Sequence, residues 1–83
     1  MYYTYILYSE TINKYYVGST SNLDERLIKH NSKHKGFTNQ SNDWKFVYYE
    51  VFDEKKDASN RERIIKGWKS RKKIELLISA KPL

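Results

Sequence analysis

The sequence predicts a small α+β domain, a three-stranded antiparallel sheet flanked by helices in the order β-β-α-β-α-α. Aromatic and β-branched residues are concentrated in three short runs, and apolar residues recur at helical spacing between and after these runs. The chain has 83 residues, one proline and no cysteine. We therefore expect residues 1–83 to form a single domain, whose core is built from aromatic and aliphatic side chains without disulfides.

The first two strands are predicted to form a hairpin. Residues 2–8 are aromatic and β-branched, which favours a strand whose odd-numbered and even-numbered side chains lie on opposite faces. Residues 10–14 are mostly polar and indicate a turn, and residues 15–17 form a second short strand. We expect Gly18 to end this second strand.

A helix is predicted directly after the hairpin, at about residues 22–31. Ser21 followed by Asp24 resembles a capping box in which aspartate replaces the usual glutamate. Leu23, Leu27 and Ile28 supply an apolar stripe at helical spacing, and Leu23 and Leu27 can face the core.

A third strand and two further helices complete the predicted fold. Residues 44–52 are rich in aromatic residues and valine, which favours a strand. Asp57 is the expected cap of a helix from Ala58 to about Trp68, and Ser70 is the expected cap of the last helix. The apolar positions of that last helix are Ile74, Leu77 and Ile78.

The charge balance favours an anionic partner. Sixteen basic residues against ten acidic residues give a formal charge of +6 and a pI near 9.5, which indicates binding to nucleic acid or to an acidic surface. No stretch approaches the roughly 20 apolar residues that span a bilayer. The N-terminus lacks the basic region and cleavage site of a signal peptide. We therefore expect a cytoplasmic protein without membrane association.

The predicted first helix carries candidate chemistry. Arg26 and His30 are separated by four residues, so both side chains project from one face and can reach into a cleft. An arginine suits a phosphate, and a histidine beside it can move a proton. A solvated helix face is the alternative. His30 and His34 also have metal-ligand spacing, but no third ligand is evident nearby, and a surface role is favoured.

Two further features remain ambiguous from the residues alone. Glu62 is the one acid in residues 61–73, which contain seven bases, and it can anchor a metal beside a phosphate or form a salt bridge. The local sequence favours the salt bridge, because ion pairs at protein surfaces are common. The eight tyrosines can fill the core, stack on a base or orient a water molecule.

Taken together, these residues resemble the GIY-YIG nuclease superfamily over about residues 2–78. The chain is similar to its small stand-alone bacterial members and to the N-terminal domain of the excision-repair nuclease C subunit. The first motif of the family is degenerate here as Tyr3-Thr4-Tyr5, and the second is Tyr16-Val17-Gly18. The first glycine of the family is absent, and Ser19 stands where the repair nucleases often carry lysine.

The resemblance also places the functional residues of the family on this chain. The helix arginine falls on Arg26, the following histidine or tyrosine position falls on His30, and the metal-binding glutamate falls on Glu62. The family chemistry implies that Glu62 holds one divalent cation, Mg²⁺ or Mn²⁺, and that Arg26 clamps a phosphate oxygen. His30 is then expected to accept a proton or to contact phosphate.

The remaining implied roles fall on the two motifs. Tyr5 or Tyr16 is expected to position or deprotonate the attacking water, with the other tyrosine hydrogen-bonding nearby. Gly18 is expected to let the backbone turn tightly into the helix. The residues expected to attract the nucleic-acid backbone are Lys66, Lys69, Arg71, Lys72 and Lys73.

The resemblance therefore implies a metal-dependent endonuclease that hydrolyses DNA phosphodiester bonds, with a role in DNA repair or recombination. A non-catalytic nucleic-acid-binding module on the same scaffold is the alternative. RNA in place of DNA, a protein partner and a homodimer remain open.

Overall fold

The structure is a computed structural model that describes residues 1–32 and 36–81. Its strands are β1 (Tyr2–Ser9), β2 (Lys14–Thr20) and β3 (Lys45–Phe52). Its α-helices are α1 (Leu23–Asn31), α2 (Lys55–Gly67) and α3 (Arg71–Ala80), and a 3-10 helix spans Phe37–Gln40. The predicted α+β class and the predicted order of strands and α-helices are confirmed.

The three strands form one antiparallel sheet in the order β2-β1-β3. Because β1 is the central strand, Tyr5 lies opposite Gly18 on one side and opposite Tyr49 on the other. The pairing of β1 with β3 shifts register between Ile6 and Leu7. The sheet therefore places Tyr5 in its middle, between the two edge strands.

The two faces of the sheet pack into separate core layers. One face packs against α2 and α3, and its buried core residues are Ile6, Val17, Tyr48 and Ile65. The other face packs against Leu23 and Leu27 of α1, and its buried core residues are Tyr5, Leu7 and Trp44. Ile28 is 68% exposed, so its place in the predicted apolar stripe is wrong. The predicted alternation along the first strand is confirmed, because Ile6 packs in one core layer and its neighbours Tyr5 and Leu7 pack in the other.

Two helix caps are side chains that accept backbone N–H groups. The predicted capping box at Ser21 is wrong, because Asn22 is the cap of α1 and its Oδ1 accepts from the Glu25 backbone N at 3.0 Å. Asparagine is as good a cap as serine, so the neighbouring residues Ser21 and Asn22 could each have been the cap of this helix. The predicted cap of the last helix is confirmed, because Ser70 Oγ accepts from the Lys73 backbone N at 3.2 Å.

The second helix begins earlier than predicted. α2 begins at Lys55 rather than at Ala58, so Asp57 lies in its first turn and does not cap it. The cap position is Glu54, whose side chain makes no capping hydrogen bond. An acidic residue in the first turn interacts favourably with the helix dipole. Aspartate is therefore as suitable in the first turn of a helix as it is at the cap position.

Gly18 lies inside β2 and does not end it. The strand continues through Gly18 to Thr20, so the expected tight turn at this glycine is wrong. A Cβ atom at Gly18 would lie 2.4 Å from Tyr5 Oη and 2.6 Å from Tyr5 Cζ. The glycine is therefore required for space, because the Tyr5 ring lies directly against its backbone.

No helix in residues 1–32 and 36–81 is long and apolar enough to cross a membrane. His34, which was considered as a metal ligand beside His30, lies outside the described residues.

Candidate active site

A buried chain of hydrogen bonds links the central strand to α1. Tyr5 Oη lies 2.7 Å from His30 Nε2, and His30 Nδ1 lies 2.9 Å from Thr38 Oγ1. Burial raises the pKa of Tyr5, and the neighbouring Tyr16 raises it further. Tyr5 therefore keeps its proton, and each ring nitrogen of His30 has a hydroxyl group, that of Tyr5 or that of Thr38, as its hydrogen-bond partner.

His30 lies deeper than the sequence predicts. Its position in the last turn of α1 points the ring at the sheet, and only 7% of the residue is exposed. Both ring nitrogens are engaged inside the protein. The ring of His30 is therefore packed in the interior against Tyr5, whereas the sequence predicted a side chain that reaches into a cleft beside Arg26.

Tyr16, on the edge strand β2, lies beside the hydrogen-bonded residues Tyr5 and His30. Its ring centroid is 4.9 Å from that of His30 and 6.5 Å from that of Tyr5. Lys66 of α2 places its Nζ 5.4 Å from the Tyr16 ring centroid. Tyr16 is half-buried, whereas Tyr5 is only 1% exposed. Of the two motif tyrosines, Tyr16 is therefore the one that solvent can reach.

Glu62 is held by two neighbours. Ser19 Oγ donates to Glu62 Oε1 at 2.7 Å, and Lys66 Nζ donates to Oε2 at 2.7 Å. The Glu62 side chain is 23% exposed, so its carboxylate remains open to solvent. The salt bridge that the local sequence favoured is therefore present, and Lys66 links Glu62 to the Tyr16 ring.

Arg26 lines a cavity at the end of β2 with a volume of about 330 Å³. The residues lining this cavity are Tyr2, Ser19, Thr20, Ser21, Arg26, Lys55 and Ala58. Two cationic side chains and several hydroxyl groups make the cavity suitable for an anion. The charge of Arg26 also acts on Tyr5, where it lowers the pKa and partly offsets the effect of burial. Ser19 connects this cavity to Glu62.

The donor set at Glu62 fits a hard divalent cation. No group of three or more histidine, cysteine, aspartate or glutamate residues that could hold a metal occurs in the described part of the chain. Mg²⁺ keeps several waters and is commonly held by one or two carboxylates together with substrate phosphates. A single partly exposed carboxylate beside a cavity suited to anions provides this arrangement.

The basic residues predicted to contact nucleic acid separate into different places. Lys66 pairs with Glu62 near the Arg26 cavity, whereas Lys69 and Arg71 line another cavity at the opposite end of β2. The guanidinium of Arg71 donates to the Asn13 backbone oxygen at 2.8 Å and to Asn13 Oδ1 at 2.7 Å. Arg71 therefore fastens the turn between β1 and β2. Lys72 and Lys73 are exposed at the start of α3, and the Lys73 ammonium lies over the Trp68 ring.

Sequence reasoning missed three neighbours of the site. Thr38 follows a polar segment that has no periodic pattern, so nothing in the sequence connected it to His30. Ser19 follows Gly18 on β2, and strand alternation puts these two residues on opposite faces. Recognising that the strand continued past Gly18 would have placed Ser19 on the face that packs against α2. Lys55 was missed because the second helix was predicted to begin too late.

Comparison with known proteins gives a consistent result. The family model that matches the chain is the GIY-YIG catalytic domain, over residues 1–75. A UPF0213 protein of Clostridium perfringens is 35% identical over 80 residues, which covers 95% of this chain and 85% of the relative. A UPF0213 protein of Streptococcus pyogenes serotype M3 is 38% identical over 71 residues, or 83% of this chain and 75% of the relative.

A third UPF0213 protein, from Staphylococcus haemolyticus, is 32% identical over 76 residues, which covers 90% of this chain and 92% of the relative. No solved structure matches the chain. The family match covers most of the chain and includes all five motif side chains described above. The chain therefore belongs to the GIY-YIG catalytic domain family, a family of nucleases.

Proposed function

We propose that the protein is a metal-dependent endonuclease that hydrolyses DNA phosphodiester bonds, in DNA repair or recombination. One observation carries the proposal: five motif side chains from four segments of the chain gather around β2, beside a cavity suited to an anion. These residues are Tyr5, Tyr16, Arg26, His30 and Glu62. Arg26 lines this cavity together with Lys55, so one of the five side chains already faces a space that suits a phosphate.

The cavity suggests where the scissile phosphate binds. Arg26 and Lys55 face the same space, and the guanidinium of Arg26 can donate two parallel hydrogen bonds to phosphate oxygens. In the transition state the phosphate carries more negative charge on its oxygens, so a fixed arginine stabilises it further. Arg26 is therefore assigned to phosphate binding and to charge stabilisation.

The two motif tyrosines receive different roles in this proposal. Tyr5 is buried, is hydrogen-bonded to His30 and has a raised pKa, so it keeps its proton and is not available as a base. Tyr16 is half-buried on the edge strand, where its hydroxyl can orient a water molecule or, as the phenolate, accept a proton from it. Tyr5 and His30 then hold the shape of the site against which Tyr16 packs.

Glu62 is the residue that would hold the divalent cation, either Mg²⁺ or Mn²⁺. The bound ion would supply charge stabilisation to the phosphate and to the leaving oxygen. Ser19 keeps the Glu62 carboxylate in place through its hydrogen bond to Oε1.

The test is a cleavage assay with purified protein and single-stranded, double-stranded and branched DNA, with RNA as a comparison. Each substrate is incubated with Mg²⁺, with Mn²⁺ or with a chelator, beside Glu62→Gln. Glu75→Gln is the matched control, because Glu75 also forms an exposed ion pair four residues from its partner. Cutting that requires metal, is lost in Glu62→Gln and survives in Glu75→Gln supports the proposal.

A second candidate is a non-catalytic nucleic-acid-binding module. It is favoured by the two contacts that Glu62 already makes, since each of its carboxylate oxygens accepts a hydrogen bond within the protein. The same assay separates the two functions. Salt-sensitive binding of DNA without cutting under any metal condition would replace the nuclease with the binding module.

A further inference from the structure

The position expected for a metal at Glu62 is partly filled by a side chain of the protein itself. Lys66 Nζ lies 2.7 Å from Glu62 Oε2, on the oxygen that Ser19 does not use. Lys66 is one helical turn after Glu62 in α2, so the helix fixes the two side chains as neighbours. An ammonium at this distance neutralises the carboxylate that a divalent cation would need.

A divalent cation and the Lys66 ammonium cannot share this carboxylate without strong repulsion, because both are positive and would lie within a few ångströms. The Lys66 side chain is 47% exposed, and exposed ion pairs contribute little stability. Lys66 is therefore held loosely enough to be displaced. Its long flexible stem allows the ammonium to move while the helix backbone stays in place.

A phosphodiester offers the displaced ammonium a new partner. Lys66 lies between Glu62 and the Tyr16 ring, and Ser19 links Glu62 to the cavity that contains Arg26. A phosphate bound at that cavity brings negative charge close to Lys66, which draws the ammonium away from Oε2. The same movement leaves Oε2 open to a cation.

We infer that Lys66 is a displaceable counter-ion of Glu62, which occupies the cation position in the free protein and leaves it when nucleic acid binds. Metal and nucleic acid then bind cooperatively, because each favours the state in which the Glu62–Lys66 pair is broken. Thermodynamic linkage requires the effect to be reciprocal. This inference rests on the proposed function, since it assumes that Glu62 binds a metal.

The first experiment measures metal affinity without any cleavage readout. Mn²⁺ is titrated into the protein, and free Mn²⁺ is followed by electron paramagnetic resonance. Lys66→Met keeps the length of the side chain and removes its charge, so it is expected to bind Mn²⁺ about three- to tenfold more tightly than wild type. Lys66→Arg keeps the charge and should resemble wild type.

Two controls make this titration specific. Lys56→Met removes the same charge from an ion pair in the same region of the chain, the pair with Glu54, and should leave Mn²⁺ affinity unchanged. Glu62→Gln should abolish Mn²⁺ binding at this site, both in the wild-type protein and when it is combined with Lys66→Met. Circular dichroism checks that each variant is folded.

The second experiment measures the coupling from the nucleic-acid side. Binding of a fluorescein-labelled single-stranded oligonucleotide is followed by anisotropy, with and without Mn²⁺ at constant ionic strength. A Tyr16→Phe background limits cutting, and gels confirm that the oligonucleotide stays intact. Mn²⁺ should raise the oligonucleotide affinity, and Lys66→Met should reduce that enhancement about three- to tenfold.

The outcomes separate the inference from the proposed function. Mn²⁺ binding that needs Glu62 but is equal in wild type and Lys66→Met overturns the counter-ion role and leaves the metal site standing. Absence of Glu62-dependent Mn²⁺ binding in both experiments overturns the metal site itself. Tighter Mn²⁺ binding and weaker coupling in Lys66→Met, with Lys56→Met unchanged, supports the inference.

Discussion

Tyr5 and His30 are 25 residues apart in the sequence, yet Tyr5 Oη and His30 Nε2 lie 2.7 Å apart in the buried interior. This bond ties the central strand to the last turn of α1. A second bond at 2.9 Å ties the same ring to Thr38. The two hydrogen bonds therefore join three segments of the chain at a buried position: β1, the last turn of α1 and the 3-10 helix.

Tyr5→Phe tests the structural value of this chain. The substitution leaves His30 Nε2 without the hydroxyl of Tyr5 in a buried position, which costs about 1–3 kcal/mol of the free energy of unfolding. Urea unfolding followed by circular dichroism measures the loss. Tyr49→Phe is the matched control, because Tyr49 is 38% exposed, and we expect almost no change there. Equal stability of Tyr5→Phe and wild type would contradict the importance of the bond.

Tyr16→Phe tests the assignment of the tyrosine that handles the water. If the Tyr16 hydroxyl orients or deprotonates the nucleophile, its removal should lower the cleavage rate by about 10²- to 10⁴-fold. The ring remains, so packing against His30 and binding of DNA should change little. Single-turnover cleavage and anisotropy separate the two effects. A larger loss of rate in Tyr5→Phe than in Tyr16→Phe, with both proteins folded, would reverse the assignment.

Gly18→Ala tests the close approach of β2 to the Tyr5 ring. The added Cβ would lie 2.4 Å from Tyr5 Oη, so the ring or the strand must shift, at about 1–3 kcal/mol of unfolding free energy. Gly67→Ala is the control, because a Cβ there meets nothing within 4 Å. Since alanine favours a helix more than glycine, Gly67→Ala should be neutral or stabilising by up to about 1 kcal/mol. Thermal unfolding of both variants measures the difference.

The sheet and helices were predictable because they depend on local patterns. Alternation in β1 and the apolar spacing in α3 are visible in consecutive residues, and both were confirmed. The boundaries were less predictable, since Asp57 suits a helix cap and a first turn equally well. The role of Gly18 was wrong for a similar reason, because the sequence cannot show that a distant tyrosine ring lies on it.

The site was predictable only as a set of residues. Family resemblance named Glu62 and Arg26, but it could not show that Ser19 and Lys66 occupy the Glu62 carboxylate. It also could not show that His30 is buried, because burial depends on how α1 packs on the sheet. Such contacts are set by tertiary packing, which no spacing along the chain records. The extent of the domain over residues 1–83 stays a prediction.

We expect the protein to lose stability at high pH because two buried tyrosines, Tyr5 and Tyr48, have raised pKa values. Burial and the hydrogen bond to Glu50 raise the pKa of Tyr48 to about 12, and burial raises the pKa of Tyr5. An unfolded tyrosine titrates near 10. The two tyrosines therefore contribute their full stabilisation below about pH 10. This stabilisation is lost as pH rises through their pKa values in the folded protein.

Unfolding at pH 9 to 12 checks this expectation, with tyrosinate absorbance recorded in the same samples. Tyr48→Phe should show a shallower decline of stability with pH than wild type. Parallel declines in the two proteins would mean that Tyr48 ionises equally easily in the folded and unfolded states.

We expect Asp43 to give the opposite pH dependence, a loss of stability at low pH. Its carboxylate accepts from the hydroxyls of Ser9 and Ser41, and from the Thr11 backbone N at 3.0 Å and the Thr11 hydroxyl at 2.9 Å. The hydrogen bonds from Ser41 and Ser9 are the main cause of a pKa well below the ordinary range. These bonds join the end of β1 and the following turn to the segment before β3. They stabilise the fold above about pH 4, where an unfolded aspartate is ionised, and the contribution is lost as pH falls further.

Asp43→Asn should therefore unfold at a lower temperature than wild type at pH 7. The asparagine NH₂ group is a hydrogen-bond donor, so it cannot accept the hydrogen bonds that one of the carboxylate oxygens accepts in the wild type. The two proteins should begin to converge as pH falls below 4, because an unfolded aspartate takes up a proton there while the folded Asp43 carboxylate stays ionised. Differential scanning calorimetry from pH 2 to 7 measures this convergence. Asp53→Asn, an exposed position just after β3, is the control and should keep a constant difference from wild type. A gap between Asp43→Asn and wild type that stays constant with pH would show that the carboxylate charge does not stabilise this junction.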